Sequence, residues 1–142
     1  MKSFLFTQDA LQKLLQQEPG LPGKRHLDPL KSLHLSKEIP FGILEDINVQ
    51  EPKPEVHRHE GDLWVCLQGK AEFICGGELI DPQEVPGYGG NEITGSAISN
   101  GETIILTPGD FLWIPTNEPH MHRNIGGSTA RLMIIKIPAV KS

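Results

Sequence analysis

Gly109-Asp110-Phe111-Leu112-Trp113-Ile114-Pro115-Thr116-Asn117-Glu118-Pro119-His120-Met121-His122-Arg123-Asn124 is the stretch whose reading decides the fold. Residues 110–114 and 119–124 read as short strands separated by a Pro-Thr-Asn turn. On a strand, residues i and i+2 share a face, so His120 and His122 project together. Upstream, His57-Arg58-His59-Glu60-Gly61-Asp62 repeats the same His-x-His spacing. If residues 56–59 are extended, His57 and His59 also share a face, about 7 Å apart at the backbone. The chain has only six histidines, so two such pairs are hard to attribute to chance. Imidazole is the commonest metal ligand, and Glu60 and Asp62 place carboxylates close by.

Outward from these segments, extended patterns recur over residues 30–35, 43–49, 63–68, 70–75, 103–106 and 130–137. Leu63, Val65 and Leu67 alternate with Asp62, Trp64 and Cys66, so the two sets lie on opposite faces of one strand. Residues 7–18 form the one clear helix, capped by Thr7 or Asp9 and stopped by Pro19-Gly20. No alternation of strands with helices appears, so an antiparallel sandwich or closed barrel is favoured over a parallel sheet. Residues 76–101 are rich in Gly, Pro and Asn and read mainly as a long loop. Gly87, Gly89, Gly90 and Gly95 would let it close over a barrel mouth as a lid. A hairpin turning at Gln68-Gly69 would set Cys66 opposite Ala71 and Cys75 opposite Asp62, too far apart for a disulfide. Two free, buried thiols are therefore expected.

The 142 residues suit one domain over 1–142, with 1–29 as helix and lead-in and 30–138 as the barrel. The net charge of −5 leaves no basic stripe for phosphates, which argues against nucleic acid. The opening Met1-Lys2-Ser3-Phe4-Leu5-Phe6 is too short an apolar run for a signal peptide, and no run approaches a membrane span. A cytoplasmic location with no membrane partner is the expectation. Arg131 is read as a solvated arginine, and His26 and His34 carry no assigned role.

The two histidine segments resemble the cupin superfamily. Its first motif is His-x-His, a few residues, Glu, six residues, Gly; here His57-Arg58-His59 leads through Asp62 to Gly69. Its second motif matches in spacing at Gly109, Pro115, His120 and Asn124, with Asn117 where the family has a turn glycine. The resemblance implies an all-β, antiparallel double-stranded β-helix (jelly-roll barrel) behind a short N-terminal helix. It implies one divalent metal (Fe, Mn, Ni, Zn or Cu) held by His57, His59, Asp62 and His120 inside the barrel. Asp62 is in place counting back from Gly69 but one residue short counting from His59. The carboxylate ligand is therefore Asp62, Glu60 or neither. His122 and Glu60 are the candidate catalytic groups. The resemblance also implies a homodimer formed through an outer sheet face.

Three kinds of chemistry follow for a small oxygen-bearing ligand or substrate. One is oxygen activation of the dioxygenase type. Another is isomerase, epimerase or lyase chemistry on a sugar or hydroxy acid. The third is ligand binding without turnover. Nitrogen and oxygen donors suit all the metals named. An enzyme is the favoured reading.

Overall fold

The structure, a computed structural model, describes residues 2–140. Along the chain come α1 (Gln8–Leu15), β1 (Gly23–His26), α2 (Lys31–Leu35), β2 (Phe41–Ile47), β3 (Glu55–His57), β4 (Glu60–Gln68), β5 (Ala71–Cys75), β6 (Glu78–Ile80), β7 (Gln83–Glu84), β8 (Glu92–Thr94), β9 (Ala97–Ser99), β10 (Glu102–Leu106), β11 (Phe111–Ile114), β12 (His120–Asn124) and β13 (Thr129–Pro138). One sheet has the order β1-β2-β13-β4-β11, the other β10-β5-β12-β3-β8-β7, and β6-β9 form a separate ribbon. The strand pairs are antiparallel.

The barrel core lies between the two large sheets. Trp64, Cys66, Leu132 and Ile134 from the first sheet meet Ala71, Phe73 and Leu106 from the second. These residues alternate along their strands, which is the period-2 signature of a sheet with one buried face. The outer face of the first sheet has its own cover. Leu14 of α1, Leu27, Leu30 and Ile39 pack with Ile43, and Leu67 and Met133 join them. Leu67 is thus covered by the N-terminal segment. Leu63 and Val65 lie beyond it, half-buried beside the edge strand β11.

α1 starts where expected: the Thr7 hydroxyl accepts the Ala10 N–H. Its far end is fastened by Arg131, and here the sequence reading needs correction. Arg131 is not solvated but 2% exposed. Its Nε donates to Glu45 Oε2 at 2.8 Å, while Nη1 and Nη2 donate to the carbonyls of Leu14, Leu15 and Gln17 and to Gln68 Oε1. Arg25, Glu45 and Arg131 are aligned across β1, β2 and β13, so one row of the sheet carries the whole network. A cation at a helix C-terminus also complements the helix dipole.

Other expectations change as well. Residues 31–35 are the helix α2, not a strand. Leu30 and Leu33 share a helical face against the outer core, while Leu35 is 55% exposed. The burial follows the helical spacing rather than that of a strand. The segment 76–101 holds the short strands β6 to β9 rather than a plain loop. β1 joins the first sheet from within the stretch read as lead-in. β4 and β5 do not form a hairpin, because the chain passes from one sheet to the other at Gly69. A Cβ at Gly69, where φ is +75°, would sit 2.0 Å from the Thr129 carbonyl oxygen, so only glycine fits this crossing. Cys75 consequently lies opposite Glu102 and His120, not Asp62. Both cysteines are free and buried, as expected, and burial pushes the Cys75 thiol up to about 12, which leaves it unreactive near neutrality. Asn117 adopts φ +67°, the left-handed turn conformation that Asn tolerates.

Candidate metal centre and cavity

β3 and β12 are neighbours in the second sheet, and each points a histidine into the barrel. From the opposite sheet, β4 brings Asp62. Asp62 Oδ2 lies 3.3 Å from His57 Nε2 and 3.4 Å from His120 Nε2. Glu55, two residues before His57 on β3, places Oε1 3.8 Å from each of the same nitrogens. His57, Asp62 and His120 are buried and Glu55 half-buried. The Nδ1 atoms are held from behind. That of His120 donates to the Glu118 carbonyl at 2.9 Å. That of His57 lies 2.6 Å from Glu92 Oε1 on β8, its partner in the β3–β8 register. A nitrogen and a carboxylate oxygen approach this closely only with a proton between them, although the alignment here is that of an ion pair rather than a straight hydrogen bond.

Lys136 completes the cluster. It is the cross-strand neighbour of Asp62 on β13, with Nζ 2.8 Å from Asp62 Oδ1 and 3.3 Å from His57 Nε2. Burial alone would lower the His57 pKa, but the Asp62 and Glu92 carboxylates outweigh it and raise the pKa to about 10. Burial pushes Asp62 the other way, yet His120, His57 and Lys136 hold its carboxyl well below the usual carboxylate range.

Of the residues singled out from the sequence, His57, Asp62 and His120 come together. His59 does not join them. β3 ends at His57, residues 58 and 59 form a bend, and His59 is exposed. Its N–H donates to Asn91 Oδ1, and its carbonyl accepts the Ala139 N–H. The shared-face argument for His57 and His59 required an extended chain through residue 59. Carried backwards instead, the same alternation pairs His57 with Glu55. Glu60 accepts from Asn91 Nδ2 and lies 3.7 Å from Lys136 Nζ. It also belongs to a second group of potential ligands, His57, Glu60 and Glu92, which draws on His57 too. Glu92 gave no local signal in the sequence; only the strand pairing brings it to His57.

His122 faces inward, as the alternation predicts. It is 4% exposed and packs on Trp64 and Phe73 at ring-centroid distances of 4.8 and 4.9 Å. Its Nδ1 lies 2.7 Å from Asp46 Oδ2, and its Nε2 is 3.3 Å from Lys24 Nζ. Burial lowers its pKa. The cavity between the sheets, about 710 Å³, is lined by His57, Glu55, Lys136, His122 and Lys24 among others. Tyr88 and Glu92 line it too, so the 76–101 segment borders the site on the His57 side. His26 and His34, silent in the sequence, form part of the same wall, their rings 5.3 Å apart.

The donor set fits a divalent ion. His120 Nε2 and Asp62 Oδ2 are buried without a hydrogen-bond partner, and they face His57 Nε2. Metal–ligand bonds of about 2.0–2.2 Å would span donors spaced in this way. Fixing Nδ1 by a carboxylate or a carbonyl is how proteins aim Nε2 at a metal. Lys136 is the resident competitor, a like charge that an incoming cation must displace. Lys136→Met is therefore expected to raise Mn(II) affinity about tenfold or more by calorimetry, since unit charges about 4 Å apart interact by about 4 kcal/mol near a protein surface. The same titration should show pH dependence of known sign. His57 is protonated below about 10, and a metal must expel that proton, so affinity falls about tenfold per unit as pH falls.

The family model for the cupin domain matches residues 94–136, which takes in His120 and Lys136 but stops short of His57. No curated protein sequence matches the chain. Among solved structures, the Drosophila melanogaster CENP-C cupin domain is similar at 12% identity and TM-score 0.50, covering 68% of this chain and 59% of that one. Hydroxypropylphosphonic acid epoxidase from S. wedmorenis is similar at 12% identity and TM-score 0.50, covering 68% of this chain and 42% of the epoxidase. The chain thus spans less than two thirds of either relative, and at this identity the likeness is one of fold. Among the described residues no helix is long and apolar enough to cross a membrane. The antiparallel sheets and the inward histidines on β3 and β12 give a barrel of cupin-like fold, and its segment 94–136 matches the cupin-domain family model.

Proposed function

We propose that this cupin holds one divalent metal at His57, His120 and Asp62, with Glu55 as a further donor, and acts there on a small oxygen-bearing organic substrate. One observation carries the reading: unpartnered, buried His120 Nε2 and Asp62 Oδ2 converge on His57 Nε2 while both imidazoles are fixed from behind. A bound divalent ion would supply Lewis acidity, lowering the pKa of a coordinated oxygen. The chain's own groups do the rest. Glu92 and the Glu118 carbonyl keep the two Nε2 lone pairs aimed inward. Trp64 and Phe73 keep the inner wall dry. Lys136 donates to Asp62 and stays charged there, because Asp62, Glu60 and Glu55 raise its pKa.

Redox and non-redox chemistry both fit this donor set. The test is to load the protein with Fe(II) and with Zn(II) and to screen small hydroxy acids, sugars and phosphonates for turnover. Oxygen consumption confined to the iron form assigns an oxygenase, and equal turnover with zinc assigns an isomerase or lyase. Saturable binding without product under either metal assigns a ligand-binding protein, which is the second reading.

A homodimer through the outer face of β11, β4 and β13 is part of the proposal. Phe111 and Trp113 are 70% and 49% exposed on an edge strand, in register with Val65 and Leu63. Apolar rows of this kind mark interfaces. Light scattering should give twice the chain mass for the protein and the single mass for Trp113→Glu; a monomer at every concentration would overturn the dimer.

A further inference from the structure

Within the cavity, most of the charged groups already have partners. Lys136 is committed to Asp62 and Glu60, and His57 to Asp62 and Glu92. The Asp46 carboxylate lies 2.7 Å from His122 Nδ1, an ion-pair contact without hydrogen-bond alignment. Lys24 differs. It lies opposite Asp46 in the β1–β2 register and ends with Nζ 3.3 Å from His122 Nε2, and among the described residues no carboxylate oxygen lies within 4 Å of it.

We infer that Lys24, held in place by His122, is an anion subsite that takes the carboxylate or phosphate group of a small substrate whose oxygen donor reaches the metal centre. This rests on the metal reading for the second half of the contact only. An ammonium carries three protons. One meets His122 Nε2, and among the described residues no other protein acceptor takes the remaining two. His122 cannot swing aside, because Trp64 and Phe73 pack on its ring and Asp46 grips Nδ1. Its Nε2 faces the Lys24 ammonium, which can only donate to it. Lys24 is an exposed residue at the cavity mouth, yet the protein crowded around its Nζ lowers its pKa, and Asp46 and Glu55 act against that. A bound oxyanion would supply the missing counter-charge.

The placement also limits the ligand. Lys24, Glu55 and His57 line the same cavity, so a small molecule at Lys24 shares that space with two members of the metal cluster. Glu51 and Glu55 line the same cavity and disfavour a second negative group away from Lys24. A cavity of about 710 Å³ suits a small molecule rather than a peptide or polymer.

Trp64 lines the cavity next to His122 and serves as the reporter once the other tryptophan is changed to Phe (Trp113→Phe). The full chain, chelator-treated and separately loaded with Mn(II), is titrated with inorganic phosphate and with acetate while Trp64 fluorescence is read. The expected result is saturable binding in the metal-free protein, weakened at least tenfold by Lys24→Met and changed less than about threefold by Lys24→Arg. Lys53→Met, at an exposed lysine on the same rim, should also leave it within about threefold. Preference for phosphate or acetate assigns the group. Absence of saturable binding by either anion, or equal binding in Lys24→Met, overturns the subsite. Lys24-dependent binding without Mn(II) uptake supports the subsite and overturns the metal reading instead.

Discussion

Replacing His120 by Ala is expected to cost far more metal affinity than the roughly 10–100-fold typical of losing an outer partner of a ligand. The barrel itself should persist. His120 is 1% exposed on β12, but that strand is held along its length by β5. Its Nε2 makes no hydrogen bond whose loss would weaken the fold. His57→Ala should match it. Mn(II) calorimetry together with far-UV circular dichroism separates the two effects. Full metal uptake by either variant would mean that the ion, if any, sits elsewhere.

Arg131→Met is expected to be the most destabilising single change, by about 3–5 kcal/mol. The substitution strands Glu45, whose side chain is fully buried and retains only Arg25 and the Gly20 N–H. It also releases the carbonyls of Leu14, Leu15 and Gln17, which close the end of α1. Pairing it with Glu45→Leu should recover part of the loss, since the stranded charge is then gone. Urea unfolding measures both. A loss below about 1 kcal/mol for Arg131→Met would show that the buried pair contributes little.

The metal site and the helix clamp were legible in the sequence to different degrees. The resemblance turned Asp62 and His120 inward, and strand alternation then put Trp64, Cys66 and His122 on the same inner face, because side-chain period is fixed by backbone geometry. The same rule misplaced the partner of His57. It was applied forwards across residues 58 and 59, where the chain bends, instead of backwards to Glu55. Arg131 looked like any surface arginine, and nothing in its neighbours announces Glu45 or the end of α1. Both reach it only when β1, β2 and β13 align. Glu92, Lys136 and Lys24 stayed silent for that reason as well: each enters the cavity through cross-strand register, which depends on which strands pair. The helix α2 has only five residues, too few for a helical period to show in the sequence.

The metal position itself can be seen directly. Crystals of the Mn(II)-loaded protein, measured near the manganese edge, should show one anomalous peak per chain within bonding distance of His57 Nε2 and His120 Nε2, with Asp62 or Glu55 completing it and His59 remote. A peak on the Nδ1 side of His57, between Glu60 and Glu92, or at His59, would contradict the centre described above.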